Sequence, residues 1–118
     1  HVAALAASSH VPHMVAYALT AMLGSHALDP MKHGGGALRD MTRIAGSDPM
    51  MWRGIAVTNR DAILAAMEGV SMERERLRTL IAEQDGVALA ALFSECRGLR
   101  REHDAILNPI LKSEESSA

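Results

Sequence analysis

The chain has 118 residues, 48% hydrophobic and 22% charged, with a net charge of −2. That is one ordinary globular domain by length, with no cationic excess to favour nucleic acid. A single cysteine, Cys96, excludes an internal disulfide and fits a reducing, cytoplasmic compartment.

Aromatic residues make up only 3% and alternating strand patterns are absent, whereas Ala, Leu, Met, Glu and Arg dominate. These favour an all-α helical bundle. Val2 to Ser9 reads as a short apolar helix, without the basic start of a signal peptide. Pro12 cannot donate to the carbonyl four residues back, so a helix crossing it must kink or restart, with Ser9 as the cap. Val11 to Leu23 is apolar on nearly every side and reads as buried on all sides. It is interrupted by His13 and too short to span ~30 Å of hydrocarbon, so no membrane is expected. Gly24 ends it. Ser25 to Gly36 is a connection containing Pro30 and Gly34-Gly35-Gly36.

Ala37 to Ala45 gives one or two helical turns, with Gly46 as a C-cap. Asp48-Pro49 restarts the helix, since Asp48 can accept from free backbone N–H groups and Pro49 suits the first position. This helix carries Trp52 and runs to about Thr58, with Asn59 as a break. Arg60 to Gln84 is the longest element. Its apolar positions Ile63, Met67, Val70, Leu77 and Ile81 step by four and three, with Arg74 filling the gap. Gly69 within it costs ~1 kcal/mol relative to Ala. Glu73–Arg76 and Glu75–Arg78 are exposed i,i+3 pairs. Asp85-Gly86 is a turn. Val87 to Ile106 follows, with Leu89, Leu92, Cys96, Leu99, His103 and Ile106 on one stripe and Cys96 buried in it. Pro109 ends this helix. The pattern predicts a long C-terminal antiparallel hairpin that covers the Val11–Leu23 helix and pairs with a second copy, giving a homodimer. Residues 1–112 form the domain and 113–118 a polar tail. The chain begins at His1 rather than Met and reads as a piece of a longer protein.

Arg39 and Arg43 stand four apart, with Asp40 placed to orient one guanidinium. Arginine suits bidentate recognition of a carboxylate. The plainer reading is a solvated basic turn paired with Asp40 and Asp48. His10 and His13 are three apart and could share a helix face. They could line a pocket, hydrogen-bond at a helix junction, or, with His26, His33 or His103, hold a metal. No Cys pair or HExxH supports zinc, so no metal is expected. The glycine triplet lacks the Lys-Ser/Thr of a phosphate loop and follows no strand.

Ser9-His10-Val11-Pro12-His13, then Arg39-Asp40-Met41-Thr42-Arg43-Ile44-Ala45-Gly46-Ser47-Asp48-Pro49 and Met51-Trp52, resemble the C-terminal helical domain of the prephenate/arogenate (cyclohexadienyl) dehydrogenase family. That family shows Ser-His-Leu-Pro-His and Arg-Asp-x-Thr-Arg-Ala/Ile-Ala-x-Ser-Asp-Pro-x-x-Trp at similar separation. Two departures stand out. Val2 replaces an Asp that often follows the first His, and Gly54 stands where Trp-Arg-Asp is usual.

The resemblance implies an intact enzyme that oxidatively decarboxylates prephenate or arogenate with NAD or NADP in tyrosine biosynthesis. A Rossmann-type N-terminal domain, absent here, would bind the nucleotide and carry the catalytic histidine. In this segment Arg43 would grip a substrate carboxylate. His10 and Trp52 would line the pocket, with the Gly36 backbone and Asp40 close by. Tyrosine is a possible effector, near Arg43 and Gly36. The alternative function is a non-catalytic helical dimerisation and effector-binding module.

Overall fold

Pro12 does not end the first helix. The computed structural model describes residues 1–28 and 30–107, with the side chains of residues 31 and 105 outside the description. Its backbone is helical without interruption from Val2 to Ser25. Helix α1 (Val2–Leu5) passes through a π-helical turn (Ala6–His10) into α2 (Val11–Ser25). Pro12 has no N–H for the carbonyl of Ser8, and its ring crowds that carbonyl. The widened turn absorbs the defect, with the Val11 N–H donating to the Ala6 carbonyl five residues back. The expected cap at Ser9 is therefore not made. Instead His13 Nδ1 donates to the Ser9 carbonyl at 3.0 Å.

Two expectations about this helix change. The continuous run of 24 residues is long and apolar enough to cross a bilayer by length and composition, so shortness is no argument against spanning. What counts against spanning is the buried His10 near its middle, a group that is expensive in hydrocarbon. Nor is α2 buried on all sides, since only Val11, Ala16 and Leu23 are. Its neighbours are short: the π turn, the helix Gly36–Thr42 and the 3₁₀ turns Pro30–Lys32 and Arg43–Gly46.

After the 3₁₀ turn Pro30–Lys32 comes α3 (Gly36–Thr42), then a second 3₁₀ turn, Arg43–Gly46. The helix expected over 37–45 thus tightens at Arg43. Gly46 is not a left-handed cap, since no described glycine has positive φ. The chain leaves through extended Ser47, whose Oγ donates to the Ile44 carbonyl at 2.6 Å. Asp48-Pro49 restarts the helix as predicted. The Met50 N–H donates to Asp48 Oδ1 at 3.0 Å and Pro49 opens α4 (Pro49–Thr58). Gly54 lies inside α4 without ending it. Asn59 breaks the helix before α5 (Arg60–Ala82). These elements, through Ser71, form one compact unit. Its core is Ala6, His10, Val11, Ala16, Leu23, Trp52 and Ile63.

The second unit starts at Met72 and contains the rest of α5 and α6 (Gly86–Leu107). Their joint lies slightly earlier than the predicted Asp85-Gly86. Gln84 takes the left-handed conformation (φ 54°). Its N–H donates to the Ile81 carbonyl and that of Asp85 to the Leu80 carbonyl, both at 3.0 Å. This is a Schellman ending. Asp85 Oδ1 then accepts from the Ala88 N–H at 3.0 Å, and Gly86 opens α6. Within this unit burial gathers near the turn: Leu92 is buried, and Leu77, Leu80, Ala88 and Leu89 are half-buried. Further along the stripe Leu99 is 51% and Ile106 74% exposed. Cys96 is exposed too, contrary to expectation, as are Leu99 and Ile106 on the same stripe. The predicted Arg76–Glu73 and Arg78–Glu75 pairs form at 3.4 and 3.2 Å with solvated side chains. The predicted stop at Pro109 and the tail at 113–118 lie outside the described residues.

Candidate functional site

Trp52 sits at the centre of the first unit's polar chemistry, and local capping puts it there. Asp48 and Pro49 fix the first turn of α4, and the Trp52 N–H completes that turn on the Asp48 carbonyl at 3.2 Å. The indole is then 7% exposed. Two imidazoles from the first helix close on it. His13 stacks on its face, with ring centroids 3.7 Å apart and planes 18° from parallel. His10 meets it edge-on, at 5.9 Å and 82°. His13 is steadied by its bond to the Ser9 carbonyl. His10 is the last residue of the π turn and is also 7% exposed.

Three buried polar atoms here have no hydrogen-bond partner among the described residues: His10 Nδ1, Tyr17 Oη and Trp52 Nε1. Most buried polar atoms in folded proteins are paired, so three in one unit demand a physical account.

Arg43 opens the 3₁₀ turn that packs against α2, the helix carrying His13 and Tyr17. Its side chain is exposed and makes no hydrogen bond or ion pair with any described residue. Both carboxylates that could neutralise it are engaged elsewhere. Asp40 lies 4.0 Å from Arg39 Nε, in a solvated pair. Asp48 caps α4. The reading of a basic turn paired with Asp40 and Asp48 is therefore not what the structure shows for Arg43. Asp40 accompanies Arg39 instead. The change from α to 3₁₀ winding at Arg43 also removes the ideal one-turn alignment of the two arginines.

The glycines divide in role. A Cβ on Gly34 would come within 2.1 Å of Leu38 Cδ2, so a side chain there requires Leu38 to shift. A Cβ on Gly36 would meet Arg39 Nη2 at 3.6 Å, an ordinary contact. Gly36 is thus sterically free to carry a side chain, and any role it has in binding belongs to its backbone. Gly34, Gly35, Leu38, Arg39 and Thr42 line an open cleft of about 170 Å³.

The remaining histidines stand apart. His26 Nδ1 accepts from the Leu28 N–H at 3.1 Å, and His103 Nδ1 donates to the Leu99 carbonyl at 2.7 Å. Among the described residues no three His, Cys, Asp or Glu side chains gather as a metal site. Of the predicted site residues, the structure brings His10 and Trp52 into contact and sets Arg43 on a turn packed against α2. It leaves Asp40 in the solvent with Arg39. Two residues of this face were not named as site residues from sequence: His13, weighed there with His10 for a pocket, a helix junction or a metal, and Tyr17. Their spacing was the available signal, since positions 10, 13 and 17 step by three and four along one helix.

Comparison with known proteins bears on this arrangement. The family described as "Prephenate dehydrogenase, dimerization domain" matches residues 1–95. Cyclohexadienyl dehydrogenase of Zymomonas mobilis is 35% identical over 108 residues, which cover 85% of this chain and 37% of that protein. Among solved structures, prephenate dehydrogenase from A. aeolicus, in complex with hydroxyphenyl propionate and NAD⁺, superposes with a TM-score of 0.82 at 36% identity. The match covers 88% of this chain and 37% of that one. Synechocystis arogenate dehydrogenase gives the same TM-score at 26% identity, covering 87% and 39%. The chain thus spans little more than a third of the length of these relatives.

Proposed function

The chain belongs to the prephenate dehydrogenase family, as its dimerization domain, and from that premise we propose that it is the dimerising and substrate-binding part of a prephenate or arogenate dehydrogenase. The complete enzyme would oxidise and decarboxylate its cyclohexadienyl substrate with NAD or NADP in tyrosine biosynthesis, in the cytoplasm. The whole of residues 1–112 would form this part.

The observation that carries the reading is Arg43. An exposed guanidinium with no partner among the described residues, on a turn packed against α2, supports the role of a carboxylate receptor. Its planar fork can hold a carboxylate through two parallel hydrogen bonds. Prephenate is a dicarboxylic acid, so this is the contact it requires. His10 and Trp52 form the wall beside it, and Gly36 offers a backbone N–H at the start of α3. Asp40, paired with Arg39, tempers the local positive charge. Tyrosine, which carries an α-carboxylate, would reach the same groups as an effector.

The described residues contain no strand–turn–helix unit of the kind that seats a dinucleotide. The proposal assigns the nucleotide, and hydride transfer with it, to a domain outside this chain. The residues here bind and orient substrate. The apolar stripe on α5 and α6 supplies the contacts of a homodimer.

In the complete enzyme Arg43→Gln should raise KM for prephenate, or lower kcat/KM, by about tenfold or more with the unfolding midpoint unchanged. Unaltered kinetics would remove Arg43 from the substrate site.

A further inference from the structure

We propose that α5 carries a flexible joint at Gly69–Ser71, about which the two units of the chain reorient. The joint lies outside the candidate substrate site and stands whether or not Arg43 binds substrate.

Helix α5 begins in one unit and ends in the other. Ile63 is buried in the first unit, and Leu77 is the first half-buried residue of the second. Between them, residues 67–76 are all exposed. That is nearly three helical turns with solvent on every side. No side chain from Leu64 to Met72 makes a hydrogen bond or ion pair with another described residue, and the ion pairs of α5 resume only at Glu73. Packing and side-chain pairing therefore contribute little to this span, and a helical span so short is marginal in water by itself.

The residues of the span set its weakest point. Gly69, Val70 and Ser71 are three consecutive poor helix formers, between Met67-Glu68 and Met72-Glu73-Arg74-Glu75-Arg76, which are good ones. Glycine gives up the most backbone freedom in a helix, valine loses side-chain freedom, and serine competes for backbone hydrogen bonds. Nothing in the fold requires glycine at 69. No described glycine has a positive φ, and a Cβ on Gly69 would meet nothing within 4 Å. The boundary between the two compact units falls directly after this triplet, at Ser71–Met72. Helix propensity and the division of contacts are independent, and both single out the same three residues. Local opening follows where buried contacts are fewest and backbone hydrogen bonds are most exposed. Such a joint lets the hairpin bearing Leu99 and Ile106 fit against a second copy without moving the contact between His10 and Trp52. That use rests on the homodimer proposed above, whereas the joint does not.

The test is native-state hydrogen exchange of the full chain, read by mass spectrometry. Peptides within residues 68–76 should exchange about tenfold or more faster than those within 60–66 and 77–82. Gly69→Ala should slow exchange in 68–76 by about fivefold, the glycine–alanine difference in a helix interior. Gly98→Ala is equally free of steric conflict but lies inside the second unit, and it should leave exchange in 68–76 unchanged. Spin labels on Cys96 and on Arg53→Cys, both exposed positions in different units, read the reorientation directly. With labelled chains diluted into unlabelled ones, the distance distribution should be broad and should narrow in Gly69→Ala. Equal protection of 68–76 and its flanks would overturn the joint. So would a single narrow distance in the unaltered chain, or the same slowing by Gly98→Ala as by Gly69→Ala. Sedimentation decides separately whether copies pair.

Discussion

The unit His1–Ser71 and the unit beginning at Met72 draw on the same helix-forming residues, yet they treat them in opposite ways. In the first, short elements turn back on α2 and bury apolar side chains around His10 and Trp52. In the second, two long helical segments run from one tight turn, and Leu92 is the one buried side chain among the described residues. The heptad-like spacing is sound in both halves, but it reports only that a stripe exists. Whether a stripe becomes core depends on what lies opposite. The first unit carries its own partner surfaces, and the second presents Ile81, Leu99 and Ile106 to solvent. Exposed apolar stripes of this kind mark association surfaces. A receptor for a small molecule needs the first arrangement, and an interface between copies needs the second.

Substitutions should respect that division. Trp52→Ala removes the ring on which both imidazoles rest and should have the largest effect, about 3–5 kcal/mol of stability by chemical denaturation. If the loss were below about 1 kcal/mol, the indole would not be the centre of this unit. Gly34→Ala forces a Cβ to within 2.1 Å of Leu38 Cδ2 and should cost about 1–3 kcal/mol as an overpacking strain. Gly36→Ala, which meets only ordinary contact, should leave packing intact. Equal losses at the two glycines would contradict the distinction drawn between them. Asp48→Ala removes the side-chain cap of α4 and should cost about 1 kcal/mol, read as a lower thermal midpoint. In the second unit Leu99→Glu should change the stability of a single chain least of all, because the side chain is already half in solvent. Its effect should fall on association.

Parts of this organisation are legible in the sequence because their causes are local. Asp48-Pro49 starts a helix and Asn59 interrupts one through contacts within four residues, and both behave as read. The Glu73–Arg76 and Glu75–Arg78 pairs are equally local. Pro12 misleads because its missing donor can be absorbed by a π turn as well as by a break, and the alternatives differ only in how the rest of the helix is held. Gln84 misleads because glycine, found two residues further on, is the usual left-handed residue. Cys96 and its stripe mislead because burial is not a property of a single helix. The contact between His13 and Trp52 is out of reach of spacing rules, since it joins residues separated by several elements. The family resemblance does more there, because it links the Ser9–His13 element with the Arg39–Trp52 stretch before any geometry is known.

The claim that the two units divide the work between a site and an interface is tested most directly by sedimentation equilibrium of this chain at micromolar concentration, with Leu99→Glu beside it. The account predicts twice the 12.6 kDa mass of one chain for the unaltered protein, and a single-chain mass with unchanged helical circular dichroism for Leu99→Glu. A single-chain mass for the unaltered, fully helical protein would contradict it.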